Sequence, residues 1–202
     1  MNMADHYFSD RPSSTHKPFS FSYQLRGFSF IFHSDSGVFS KKEIDFGSRL
    51  MIESFEEPNV EGSILDIGCG YGPVGLTLAK AFPERMITMT DINERAVQLA
   101  KQNAVGNKIE NVQVFASNLF EQISSDEFSA ILTNPPIRAG KNIVHKIFSE
   151  SYDRLRENGE LWVVIQKKQG APSALEKIRE QFAEVEVVAK KKGYYVIRAI
   201  KS

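Results

Sequence analysis

Two short strings carry the residues whose types and spacing can do chemistry. The first is Asp66-Ile67-Gly68-Cys69-Gly70-Tyr71-Gly72. It follows the apolar run Ser63-Ile64-Leu65 and precedes Val74, Leu76, Leu78, Ala79 and Phe82 at helical spacing, with Pro73 in the first turn. The chain there reads as a buried parallel strand, a glycine loop and a helix. Residues without a Cβ let backbone approach a ligand closely, and a helix N-terminus offers free N–H groups. Glycines at every second position, with an acid two residues before the first, depart from the G-x-G-x-x-G spacing that seats a pyrophosphate. The loop therefore suits a nucleoside cofactor without pyrophosphate, whose amino-acid end lies over it. A tight turn with no ligand is the alternative. Cys69, inside the loop, reads as a small residue that fits the turn rather than a reactive thiol.

The second string, Asn134-Pro135-Pro136, follows the apolar strand Phe128 to Thr133. Ligands of open α/β sheets bind beyond the carboxyl ends of strands. Each proline pushes the residue before it into an extended conformation, so the Asn134 side chain and the Pro135 carbonyl become rigid acceptors. Two acceptors on the two N–H bonds of an exocyclic amine turn its lone pair toward an electrophile. They also stabilise the positive charge that grows on the nitrogen. Joined to a sulfonium cofactor, S-adenosylmethionine, this is methyl transfer to nitrogen. Positioning does most of the work, and no metal or covalent nucleophile is required. An ordinary turn is the bland alternative, since Asn-Pro marks turns. Asp91 lies about twenty residues beyond the loop and ends the strand Arg85 to Thr90, where an acid takes ribose hydroxyls. Asp91 or Asn93 caps the helix that follows.

The chain resembles a class I S-adenosylmethionine-dependent methyltransferase of the Asn-Pro-Pro type. More closely, it is similar to the ribosomal RNA small-subunit methyltransferase C family, guanine-N2 methyltransferases of 16S rRNA, and to their small stand-alone relatives. The resemblance runs from about Phe32 to the C-terminus. Ser36-Gly37-Val38-Phe39-Ser40, Asp45-Phe46-Gly47-Ser48, the glycine loop with Leu65, Asp91-Ile92-Asn93, Ala116-Ser117-Asn118-Leu119-Phe120 and Asn134-Pro135-Pro136 carry it. It implies that Asp66, Gly68, Gly70, Asp91, Ile92 and Asn118 hold the cofactor, Asp91 through the ribose and Asn118 near the adenine amine. It implies that Asn134, with Pro135 and Pro136, forms the catalytic acceptor beside that cofactor, and that Phe39 lies near cofactor and target. Relatives often carry an aromatic residue after Asn-Pro-Pro that stacks on the target. Here it is Ile137, and the chain is expected to lack the extra N-terminal methyltransferase-like domain of the larger relatives.

These residues need a scaffold, and the rest of the chain supplies its pattern. Phe19 to His33 alternates around Gly27 as a hairpin whose aromatics read as core, and 41–55 reads as a helix. Strands at 63–67, 85–90, 112–116, 128–133 and 159–166 alternate with helices at 73–82, 93–105, 142–155 and 172–182. Val185 to Val188 and Tyr194 to Ile200 close as an antiparallel pair. The pattern predicts an α/β, Rossmann-like fold. Its seven-stranded, mostly parallel sheet has helices on both faces and an N-terminal β-hairpin extension. Residues 1–18 are expected to be loosely held, with 19–202 a single methyltransferase domain: hairpin and helix over 19–55, core over 63–202.

Composition narrows the partners. The 202 residues carry 25 Lys plus Arg against 25 Asp plus Glu, so the net charge is zero and a global field will not hold nucleic acid. Local cations remain. Arg138 and Lys141 follow Asn134, and Lys167-Lys168 follow the strand ending at Gln166; all four are candidate phosphate ligands at the cofactor edge. Lys190-Lys191-Lys192 reads as a solvated hairpin turn. The expected partner is RNA, ribosomal RNA or a small-subunit assembly intermediate. With one cysteine, no apolar leader and no membrane-length apolar run, the expected location is the cytoplasm. Competing readings are methylation of adenine N6 or a protein glutamine amide, a non-catalytic binding module, and a nicotinamide-dependent reductase, the last disfavoured by the glycine spacing.

Overall fold

The computed structural model describes residues 17–36, 38, 43–124 and 127–202. Phe39 and nearly all of the 1–18 segment lie outside the described residues. Five parallel strands come first: β3 (Ile64–Ile67), β4 (Ile87–Asp91), β5 (Val112–Ala116), β6 (Phe128–Thr133) and β7 (Leu155–Gln166). β8 (Glu184–Lys191) and β9 (Tyr194–Ile200) complete the sheet, in the order β5-β4-β3-β6-β7-β9-β8. Within this sheet β9 alone opposes its neighbours.

Helices α1 (Phe46–Ser54), α2 (Pro73–Ala81), α3 (Glu94–Gly106), α4 (Lys141–Arg154) and α5 (Ala171–Arg179) cover it. Strand periodicity sorts them to two faces. Ile64, Met89, Leu132, Trp162 and Val164 point to one core with Met51 of α1, Leu76 of α2 and Ala100 of α3. Leu65, Ile67, Ile131, Val163 and Ile165 point to the other, with Ile147 of α4 and Ile178 of α5.

The hairpin β1 (Phe19–Leu25) and β2 (Phe28–Ser34) turns at Arg26-Gly27, both at positive φ (48° and 79°), the twist a two-residue hairpin prefers. Its aromatics are core, as their alternation implied: Phe30 and Phe32 are buried, and Phe21 and Phe32 meet Tyr71 edge-on. What fixes it to the sheet is a pair of asparagines one turn apart at the end of α3, Asn103 in its last turn and Asn107 at its C-cap. Asn103 accepts from His33 N–H (2.7 Å) and donates to the His33 and Tyr71 carbonyls (3.0 and 2.8 Å). Asn107 accepts from and donates to the Ile31 backbone (3.0 and 2.8 Å). Two side-chain amides thus act as a strand on the free edge of β2, and Asn103 carries that attachment into the glycine loop.

Several expected boundaries move. β7 begins at Leu155 rather than 159, since Leu155 already pairs with Phe128 before the register shifts, and α5 ends at Arg179 rather than 182. The first helix starts at Phe46 rather than 41, because the Asp45 side chain caps it by accepting from Ser48 N–H (3.1 Å). β8 runs on to Lys191, because the turn falls at Lys192-Gly193, both at positive φ.

Candidate active site

The sheet register builds the site. Thr90, Ile67 and Thr133 lie side by side on β4, β3 and β6. The next residue on each strand is Asp91, Gly68 or Asn134, so the three expected groups share one edge. A cavity of about 590 Å³ opens there, lined by the glycine loop, Asp66, Asp91, Ile92, Asn118 and the Asn134–Ala139 segment, among others.

The loop earns its glycines in two ways. Gly68 and Gly70 sit at φ +76° and +58°, and a Cβ on either would meet nothing within 4 Å. They leave open space above the loop. Gly72 (φ +97°) is a packing glycine instead, because a Cβ there would come within 3.0 Å of Leu76 and Met89. The loop is held from below. Gly68 and Cys69 N–H donate to the Thr90 carbonyl (2.8 and 2.9 Å), and Gly70 N–H donates to Asp91 Oδ2 (2.8 Å). Asp91 Oδ1 accepts from Asn93 N–H (2.9 Å). Asn93 itself caps α3, accepting from Arg95 and Ala96 N–H, so Asp91 is released from capping. Asp66 is buried, and its Oδ2 accepts from Gly75 N–H (2.8 Å) at the start of α2.

Burial governs the charges. It pushes the Asp66 carboxyl from 3.8 up to about 7, with the Gly75 N–H opposing and Asp91 adding to the rise. It pushes Asp91 up as well, against N–H groups of Asn93, Gly70 and Ile92. The Cys69 thiol is pushed well above its ordinary value by burial and by both carboxylates, so it is no nucleophile.

Asn134 is oriented by partners far away in sequence. Its Nδ2 donates to Asp45 Oδ1 (3.2 Å) and to Ser48 Oγ (3.1 Å). Both N–H bonds are spent, so Oδ1 is the end left for a ligand. Asp45 Oδ1 is also the cap of α1, and the helix start and the amide orientation share one atom. The Pro135 carbonyl corrects an expectation. It already accepts from Ile137 N–H (2.8 Å), which leaves one lone pair rather than a free acceptor. Pro136 N-caps the short turn Ile137–Ala139, and its carbonyl accepts from Ala139 N–H (2.9 Å).

Other expected residues divide. Ile92, Asn118 and Arg138 line the cavity. Asn118 Nδ2 donates to Glu121 (2.8 Å), leaving its oxygen as the available end. Lys141 opens α4, and Lys167 and Lys168 open a short turn after β7; all three are exposed and outside the lining, where Gln169 takes the place. Asp45, Ser48 and Gln169 had no role assigned from sequence. The Asp45-x-x-Ser48 capping spacing was the available signal for the first two.

The cavity fits the cofactor read from sequence. It runs from open space over Gly68 and Gly70 to an amide acceptor, past two carboxylates suited to an ammonium and to hydroxyls. Among the described residues no cluster of His, Cys, Asp or Glu could hold a metal ion. A Rossmann-like sheet ending in this glycine loop, an acid and Asn-Pro-Pro defines a S-adenosylmethionine-dependent methyltransferase. The methyltransferase small domain model matches residues 29–198, and the chain belongs to that family. It is 60% identical over 200 residues to YbxB, an uncharacterized protein of Bacillus subtilis, covering 98% of this chain and all of that one. It is 30% identical over 186 residues to the ribosomal RNA small subunit methyltransferase C of Vibrio cholerae, covering 90% of this chain and 53% of that protein. The T. thermophilus 16S rRNA N2 G1207 methyltransferase, solved with AdoMet and guanosine, superposes with TM-score 0.82 at 25% identity, over 95% of this chain and 52% of that one. The chain therefore spans about half the length of these rRNA methyltransferases.

Proposed function

We propose that this chain methylates an exocyclic amine of RNA, guanine N2 of 16S rRNA being the target that the relatives favour. The observation that carries the reading is the Asn134 amide, its nitrogen spent on Asp45 and Ser48 and its oxygen left at the cavity. Bound S-adenosylmethionine supplies a methyl group on a sulfonium, which is a good leaving group. Asp66, with one oxygen on Gly75 N–H, offers the other to the amino-acid end. Asp91 takes ribose hydroxyls on the lone pairs its backbone partners leave, with Ile92 against the adenosine and the Asn118 oxygen toward the adenine amine. Asn134 Oδ1 accepts one N–H of the target amine, and the remaining Pro135 lone pair accepts the other. Held this way, the amine points its lone pair out of the base plane and its growing charge meets fixed dipoles.

Arg138 at the cavity, with Lys141, Lys167 and Lys168 along the same edge, takes phosphates of the RNA. In this reading 19–202 is one methyltransferase domain working on cytoplasmic rRNA or a small-subunit assembly intermediate. Among the described residues no helix is long and apolar enough to cross a membrane. The test is mass mapping of 16S rRNA from cells lacking the protein and cells with it restored. A guanine N2 methyl group that disappears and returns supports the reading. An unchanged rRNA beside a changed adenine N6 or protein glutamine moves it to those amines.

A further inference from the structure

Beside Asp45, at the lip of the cavity, cations and rings alternate. Lys192 Nζ lies 4.9 Å from the centre of the Phe46 ring, and Arg49 Cζ lies 5.6 Å from that ring and 5.7 Å from Tyr23. Phe46 meets Tyr194 at 5.6 Å on the α1 face of the sheet, and Lys190 Nζ sits 4.6 Å from the Tyr195 ring on the opposite face, so the cations flank both sides of the hairpin tip. This is the tip of the β8–β9 hairpin, tied to the edge of the site by Lys167 N–H donating to the Gly193 carbonyl (2.8 Å). Tyr194 stands in register with Gln166, at the end of β7, and with Lys191. Three strand spacings across the sheet and three residues along it, about 18 Å in all, separate Lys191 from the end of β6 where Asn134 begins.

The cations here lack anions. Arg49 is half-buried, donates through Nη1 to the Tyr23 hydroxyl (2.5 Å), and has its Nε buried without a hydrogen-bond partner. Among the described residues neither Arg49 nor Lys167, Lys168, Lys190, Lys191 or Lys192 enters an ion pair. Exposed lysines are ordinarily just solvated. A half-buried guanidinium has given up water, and such groups are normally paired. In a chain of zero net charge, this gathering of unpaired cations on one lip is a segregation. Rings interleaved with cations suit a flexible polyanion whose bases stack and whose phosphates pair.

We propose that the lip formed by Tyr23, Phe46, Arg49 and Lys190 to Lys192 docks the single-stranded RNA that flanks the target nucleotide. The inference rests on the RNA reading of the site and adds a path for the strand, over the start of α1 and the β8–β9 tip. It assigns Lys190 to Lys192 a role beyond that of a solvated turn.

The test is the salt dependence of binding to a fluorescent single-stranded RNA oligonucleotide. It compares the parent, the triple variant Lys190→Ala, Lys191→Ala, Lys192→Ala, and Arg49→Gln, which keeps a donor for Tyr23. Calorimetry with S-adenosylmethionine and thermal melting check the fold of each. Losing three phosphate contacts should flatten the slope of log K against log salt by about 2, and Arg49→Gln by about 0.7. The triple variant should bind on the order of tenfold more weakly at 0.15 M salt. Slopes equal to the parent's overturn the proposal while leaving the methylation reading intact. So does a triple variant that keeps RNA binding but loses modification of a ribosomal particle, which would make the lip a protein contact. A parent that binds no RNA overturns both.

Discussion

Asp45 and Ser48 hold the one amide on which the chemistry depends, and replacing them separates orientation from charge. Asn at position 45 caps a helix about as well as Asp, so Asp45→Asn should leave α1 in place and keep an acceptor for Asn134 Nδ2. It removes one negative charge. Across the planar amide and one more hydrogen bond, that charge lies about 8 Å from a nitrogen bound to Asn134 Oδ1. Methyl transfer does not create positive charge but moves it, from sulfur to a nitrogen about 5 Å away in a near-attack arrangement. Only the difference between the two distances counts. At an effective dielectric constant of about 20 it amounts to at most about 0.8 kcal/mol, or about fourfold in rate. The double variant Asp45→Ala, Ser48→Ala is different. It frees the amide to turn its NH₂ end to the target, and the loss should approach the roughly 10²-fold seen when one preorganised group is removed. The assay is single-turnover methylation at saturating RNA and cofactor, with S-adenosylmethionine affinity measured in parallel. Equal rates for the double variant and the parent would refute orientation as the role of these residues. A drop of about a hundredfold for Asp45→Asn alone would mean that the carboxylate touches the substrate directly.

Three further outcomes follow from the same geometry. Asp91→Ala should weaken S-adenosylmethionine binding by about 1–3 kcal/mol, through unpaired ribose hydroxyls and a freed Gly70 N–H, and unchanged affinity in calorimetry removes Asp91 from the site. Because the Asp66 carboxyl rises from 3.8 to about 7 on folding, the folded chain keeps a proton that the unfolded chain has lost between those values. That contribution to stability is therefore present below about pH 4 and lost as pH rises to about 7, so Asp66→Asn should melt with a shallower fall over that window; parallel melting curves contradict it. Asn103→Ala removes the amide that pairs with the His33 N–H and the Tyr71 carbonyl and should cost about 2–3 kcal/mol in urea unfolding, whereas a loss under about 0.5 kcal/mol would show that the β2 edge needs no amide ladder.

The parts of this molecule that read from sequence are those whose physics is local. The central strand Phe128–Thr133 falls on its apolar run, because burial on both faces leaves an uninterrupted hydrophobic signature, whereas the edge strand Val112–Ala116 and the half-covered Tyr194–Ile200 read from β-branched and aromatic residues broken by Gln113 and Arg198. The glycine loop reads because its turn, its strand and its helix are contiguous. Asp45 and Ser48 lie in a different element from Asn134, and only the fold brings the start of α1 against the end of β6. The Asn103 and Asn107 ladder is equally silent in sequence, since two amides on a helix look solvated until an unpaired strand edge arrives. Lys190 to Lys192 read as a turn, but only Lys192 forms it with Gly193, while Lys190 and Lys191 end β8. Nothing local says that antiparallel β9 returns this turn to the cofactor edge, beside Phe46.

The central claim is that Asn134 presents an acceptor to an exocyclic amine. Its most direct test is a single-turnover reaction of purified protein with methyl-labelled S-adenosylmethionine and unmodified 16S rRNA, followed by nucleoside mass analysis. The parent should place the label on N2 of guanosine, and Asn134→Ala should do so roughly 10²–10³ times more slowly with nearly unchanged cofactor affinity. Label on a ring carbon or a ribose oxygen, or an Asn134→Ala variant as fast as the parent, would contradict the account.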